Sequence, residues 1–127
     1  MRAATLCLTL LACLVAAAPA AALEQTLVAS DGAEGDYLGW SVAVDGDTAV
    51  AGATQNFVGP GLVYVFTRNG DTWTQTARLQ ASDTQAGDGF GQSVAIDGDT
   101  IVVGAPRHVN GADLRAGAVY TFARNGA

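Results

Sequence analysis

The chain has 127 residues, with twelve carboxylates against six basic side chains and a net charge of −6 at neutral pH. That acidity argues against nucleic acid and anionic membrane as partners, because phosphate-rich surfaces are met by clustered Lys and Arg. Both cysteines, Cys7 and Cys13, fall among the first 22 residues, so residues 23–127 form one small domain without disulfide or thiol chemistry.

Met1-Arg2, the apolar run from Ala3 to Ala18, and the small residues Ala18-Pro19-Ala20 and Ala20-Ala21-Ala22 have the layout of a secretory signal peptide over residues 1–22. The expected product is secreted, extracellular or periplasmic, with cleavage after Ala20 or Ala22. The apolar run is too short for a membrane span. Leu10-Leu11-Ala12-Cys13 has the outline of a lipoprotein site, but the apolar segment ahead of Cys13 is too short, which disfavours lipid anchoring.

From residue 23 onward the chain reads as strands separated by turn signals. Glu24 to Ala29 is expected as an outer strand. Trp40 to Asp45 and Thr48 to Ala53 flank a tight turn at Gly46-Asp47. Leu62 to Arg68 and Thr72 to Ala81 flank Asn69-Gly70, a dipeptide that accepts the positive φ of a hairpin turn. Gln92 to Asp97 and Thr100 to Ala105 flank Gly98-Asp99, and Ala118 to Arg124 runs into Asn125-Gly126. No helix longer than one turn is expected. The first three strands of the first set, from Trp40 to Arg68, are apolar or small on both sides, the pattern of strands covered on both faces. Thr72 to Ala81 instead alternates, with Trp73, Ala77, Leu79 and Ala81 on one face.

This pattern occurs twice. Leu38-Gly39-Trp40-Ser41-Val42-Ala43-Val44-Asp45-Gly46-Asp47-Thr48 returns as Phe90-Gly91-Gln92-Ser93-Val94-Ala95-Ile96-Asp97-Gly98-Asp99-Thr100 at an offset of 52, and Val63 to Gly70 returns as Val119 to Gly126 at an offset of 56. The extra residues fall around Arg107 to Arg115, where a loop absorbs them at small entropic cost. Leu27-Val28-Ala29-Ser30-Asp31 likewise matches Leu79-Gln80-Ala81-Ser82-Asp83. A period near fifty residues indicates stacked supersecondary units. The expected fold is all-β: two four-stranded antiparallel β-propeller blades, a partial propeller, with the first outer strand permuted to the N-terminus so that Glu24 to Ala29 completes the second blade. The repeats span approximately residues 30–81 and 82–127.

Phe90-Gly91-Gln92-Ser93-Val94-Ala95, followed by Val102-Val103-Gly104-Ala105-Pro106, resembles the FG-GAP repeat, the blade unit of the integrin α-chain β-propeller and of many secreted bacterial proteins. Leu38-Gly39 and Gly52-Ala53-Thr54 form a looser copy. The resemblance implies extracellular binding or adhesion through loops at one end of a propeller, often with calcium in some blades.

Calcium is disfavoured by this chain's own spacing. The ion takes six to eight oxygens at about 2.4 Å, and turns as tight as Asp45-Gly46-Asp47-Thr48 and Asp97-Gly98-Asp99-Thr100 cannot wrap it. The loops from Asp31 to Asp36 and from Asp83 to Asp88 are longer, which makes Asp31, Asp36, Asp83 and Asp88 the only candidates for a cation site. The favoured reading is structural: Asp36 and Asp88 hydrogen-bond loop backbone, while Gly35 and Gly87 supply unusual φ. No cofactor and no catalytic set is assigned. His108 is the single histidine and lacks a repeat counterpart, and Ser41 and Ser93 occupy equivalent, structural places within strands.

The expected function is therefore a secreted, non-catalytic binding or scaffolding module for an extracellular protein or glycan. The alternative is a truncated fragment of a larger exported adhesin or enzyme, since the hairpin signal at Asn125-Gly126 has no strand after it. Two blades cannot close a ring that needs about four. The sheet faces bearing Val42, Val44, Val50, Val63 and Val65, and their counterparts, are thus expected to drive a homo-oligomer that completes the ring.

Overall fold

Each Asp-Gly-Asp-Thr or Asn-Gly-Asp-Thr run reverses the chain within two residues, because Gly46, Gly70 and Gly98 adopt φ of 56°, 60° and 55°. The computed structural model describes residues 23–111 and 115–124; the signal segment, Cys13 and Asn125-Gly126 lie outside them. The strands are β1 (Leu38–Asp45), β2 (Thr48–Ala53), β3 (Leu62–Asn69), β4 (Thr72–Leu79), β5 (Ser93–Asp97), β6 (Thr100–Ala105) and β7 (Ala118–Ala123). They form two antiparallel sheets, β1-β2-β3-β4 and β5-β6-β7. The registers repeat as the sequence does: Val42 faces Ala51 as Val94 faces Val103, and Tyr64 follows Phe66 across from β2 as Tyr120 follows Phe122 across from β6.

The all-β, two-sheet architecture is as expected, but the second sheet has three strands, not four. Glu24 to Ala29 is not in a strand and does not pair with β7. Its short link to β1 keeps it on the first sheet, on the face turned away from the second. There Leu27 and Ala29 pack over Ala51, Ala53, Leu62, Tyr64 and Phe66. Gln25 fastens the segment to β4, donating from Nε2 to the Trp73 carbonyl and accepting from the Trp73 N–H, both at 2.8 Å. A second expectation also needs correction. β2 and most of β3 are covered on both faces, whereas β1 is open on one, with Val42 71% and Val44 64% exposed.

The two sheets meet face to face. Val50, Val63 and Val65 of the first pack against Phe90, Val103 and Ala105, and β5 lies across β1 and β2. Phe90 is fully buried and meets Tyr120 and Phe122 edge-on, at centroid distances of 5.5 and 6.0 Å. Burying one such ring contributes about 2–3 kcal/mol. The Phe-Gly element is the joint itself: a Cβ on Gly52 would collide with the Gly91 carbonyl, so the backbones approach as only glycine permits. Ser41 Oγ donates to that same carbonyl at 2.6 Å. At the hairpin end, Gly98 N–H donates to Asp45 Oδ2 at 2.6 Å. Among the described residues, no helix is long and apolar enough to cross a membrane.

Candidate functional site

The two ends of the stacked sheets differ in kind. One carries the two-residue hairpins; the other gathers the long connections, residues 31–37, 54–61, 80–92 and, of the connection after β6, the described residues 106–111 and 115–117. Loops of that length, positioned by rigid strands, are where a scaffold of this type places function.

Two of these loops carry the candidate carboxylates, and each is built on the same plan. Asp31 Oδ1 accepts from the Tyr64 hydroxyl at 2.8 Å, and its Oδ2 accepts from Arg78 at 2.5 Å. Asp83 Oδ1 accepts from the Tyr120 hydroxyl at 2.9 Å. Asp36 Oδ2 accepts from Ala33 N–H at 2.8 Å, and Asp88 Oδ2 from Gln85 N–H at 2.7 Å, with Gly35 and Gly87 at φ of 83° and 84°. The Tyr64 hydroxyl, helped by Arg78, holds the Asp31 carboxyl below the usual carboxylate range despite some opposing desolvation. Burial, followed by the adjoining carboxylates, pushes both Tyr64 and Tyr120 up to about 12.

The structure brings Asp83 and Asp88 to one group and leaves Asp31 and Asp36 without a shared ligand-like partner. The shared group is His108, which is 6% exposed. Its Nδ1 lies 2.7 Å from Asp88 Oδ2 and its Nε2 lies 3.5 Å from Asp83 Oδ2. Both ring nitrogens thus face carboxylates, and the imidazole cross-links the 80–92 and 106–117 loops rather than activating a hydroxyl. Among the described residues, no cluster of three or more His, Cys, Asp or Glu is placed to hold a metal ion. His108 lacked any repeat signal, and its partners lie twenty or more residues away, so spacing alone could not find this bridge.

A second group at the loop end was not singled out from sequence. Tyr37 and Trp40 are half exposed and lie 6.3 Å apart by ring centroids. Trp40 meets Phe57 edge-on at 4.9 Å, and the Arg107 guanidinium lies over the Phe57 ring at 4.4 Å. The backbone beneath them is strained: Tyr37, Gln55, Asn56 and Phe57 have φ of 56°, 51°, 54° and 56°. Left-handed backbone costs a side-chain-bearing residue about 1–2 kcal/mol, and such strain concentrates at functional positions. Gln55 anchors the loop, its N–H donating to the Asp36 carbonyl at 3.0 Å and its Oε1 accepting from Gly61 N–H at 3.1 Å. A sequence signal did exist. Tyr37 stands where the second repeat has Gly89, and Trp40 where it has Gln92; residues that break a repeat are released from the packing that the repeat imposes.

The family model described as FG-GAP repeat matches two stretches of the chain, residues 22–66 and 73–122. No curated protein matches the sequence.

Proposed function

The chain belongs to the FG-GAP repeat family, and from that premise we propose that it is an exported, non-catalytic binding module that holds an extracellular protein or glycan at its long-loop end. The observation that carries this reading is the Tyr37–Trp40–Phe57–Arg107 cluster, in which Tyr37 and Trp40 are half exposed and Tyr37 and Phe57 have left-handed backbone. Large rings held rigidly at a surface supply contact area at little cost in side-chain entropy, and Tyr, Trp and Arg are the residues on which binding energy concentrates. The signal-peptide layout of residues 1–22 supports export. The engagement of His108 by two carboxylates supports a structural rather than an acid–base role for the only histidine.

The test is binding of the purified chain to arrayed glycans and arrayed extracellular proteins, alongside Trp40→Ala and, as control, Asp71→Ala at the hairpin end. The reading expects a feature whose signal falls about tenfold or more with Trp40→Ala, the loss typical of a binding hot spot, and is unchanged by Asp71→Ala. Equal signals from all three proteins would overturn it.

A further inference from the structure

Three arginines of this acidic chain, Arg68, Arg78 and Arg124, each meet an aspartate, at 2.9, 2.5 and 3.0 Å. Arg107 does not. Among the described residues no carboxylate pairs with it, and its guanidinium lies over the Phe57 ring at 4.4 Å. The backbone of Arg107 follows the repeat while its side chain departs from it. Its N–H donates to the Asp88 carbonyl at 3.0 Å, as Gln55 N–H donates to the Asp36 carbonyl at 3.0 Å in the first repeat. Gln55 then spends its side chain on Gly61 N–H, whereas Arg107 crosses to a loop of the other sheet. The next residue, His108, is held by Asp88 and Asp83, and its carbonyl accepts from Gly117 N–H at 3.0 Å. The guanidinium is therefore carried on a fixed backbone, which lowers the cost of ordering it around a ligand.

A stacked guanidinium keeps its donors at its edge, where their fork matches a carboxylate through two parallel hydrogen bonds. Beside it stand Trp40, edge-on to Phe57, and Tyr37, tilted 35° from Trp40. The face of an aromatic ring is partly negative and attracts the C–H groups on the apolar side of a sugar ring. The backbone donors around these rings are spent inside the loops: Trp40 N–H on the Tyr37 carbonyl, Phe57 N–H on the Thr54 carbonyl and Val58 N–H on the Gln55 carbonyl. An extended peptide is held chiefly through main-chain hydrogen bonds, and here those three groups are taken. A pyranose needs only a face to stack on and a donor for its substituent.

Charge narrows the ligand further. The chain carries −6, and the neighbouring loops hold Asp31, Asp36, Asp83 and Asp88. That field repels a polyanion but accommodates one carboxylate at the guanidinium. Asp36, Asp88 and Asp83 already accept from Ala33 N–H, Gln85 N–H and the Tyr120 hydroxyl, so none of them competes for Arg107. Building on the loop-end binding reading, we propose that the ligand is a saccharide ending in a single carboxylate-bearing sugar. Its ring stacks on Trp40 and Tyr37, and Arg107 takes its carboxylate.

The test is isothermal titration of the purified chain with sialyllactose and with glucuronosyl-galactose, each beside its carboxyl methyl ester. The two acids separate the two sources of such a sugar. At least one acid is expected to bind about tenfold or more tighter than its ester. Arg107→Gln should abolish that preference, and Arg107→Lys, which keeps the charge but not the fork, should restore only part of it. Trp40→Ala should weaken acid and ester alike. The preference is a ratio read within one protein, so a partly unfolded variant does not mimic its loss. Equal binding of acid and ester, or a preference that survives Arg107→Gln, would overturn the proposal and leave the loop-end reading standing. Trp40-dependent binding of a neutral glycan or a peptide, with neither acid bound, would do the same. If no ligand of any kind depends on Trp40, both fall.

Discussion

Tyr64 donates its hydroxyl hydrogen to Asp31 Oδ1 across 2.8 Å, joining a fully buried ring of β3 to the loop that precedes β1. Tyr120 does the same to Asp83 at 2.9 Å in the second repeat. Because folding raises both phenols to about 12, while an unfolded tyrosine releases its proton near 10, the unfolded chain binds fewer protons between those values. Stability contributed by these groups is complete below about pH 10 and is lost as pH rises through 12. Urea midpoints measured from pH 9 to 12 should fall steadily over that window, and Tyr64→Phe should flatten the fall while costing about 1–2 kcal/mol at neutral pH. A midpoint that stays constant to pH 11.5 would contradict the assignment.

Asp31 has the opposite sign. Its folded pKa is lowered, chiefly by the Tyr64 hydrogen bond, so its contribution is present above the ordinary carboxylate pKa and disappears as pH falls below it. Asp31→Asn should therefore remove part of the acid dependence of thermal unfolding below about pH 4. An unaltered acid limb in the variant would show that the carboxylate carries none of it.

Phe90→Ala should destabilise the chain by about 3–5 kcal/mol, since it empties the centre of the only interface between the described sheets. For a domain of this size that is a large share of the total, so the expected readout is loss of the cooperative urea transition. A loss below about 1 kcal/mol would mean that the sheets do not depend on each other.

Most of the strand plan was legible because each turn signal occurs in both repeats, and a hairpin dipeptide acts locally: Gly46-Asp47 and Gly98-Asp99 sit where their φ demands glycine. The outer strand was legible as a sequence match but not as a pairing. Leu27 resembles Leu79, yet which sheet it joins depends on where the chain can reach in three dimensions. The exposure of β1 escaped for the same reason, since Val42 and Val94 read alike and differ only in having a neighbouring sheet. The His108 bridge and the Tyr37–Trp40–Phe57 cluster are long-range meetings of loops, and no local period encodes them.

Asp88 and Asp36 occupy equivalent positions but should respond differently to removal. Asp88 is 2% exposed and meets both Gln85 N–H and His108, whereas Asp36 holds Ala33 N–H at a more accessible site. Asp88→Ala leaves buried groups without a partner and should cost about 2–4 kcal/mol; Asp36→Ala should cost about 1 kcal/mol. Equal losses in chemical denaturation would mean that His108 adds nothing to the second loop.

Thr54 is fully buried and its hydroxyl has no hydrogen-bond partner, at the position where the second repeat carries Pro106. Thr54→Val keeps the shape and removes the unsatisfied oxygen, so it should raise stability by about 1 kcal/mol. A decrease in melting temperature would indicate that the hydroxyl is bonded after all, through water.

Since the joint pairs one repeat with the next through equivalent positions, a tandem gene duplication of one full period would insert a sheet whose two faces already have their complements. Each added unit would bring its own strand for the sheet before it and its own accepting glycines for the one after, so stability would grow by a nearly constant increment per unit. A duplication longer or shorter by a single codon within a strand would turn that strand's buried face outward. Lengthening by recombination is thus tolerated only in whole periods or within the long loops, where the four additional residues of the second repeat already lie.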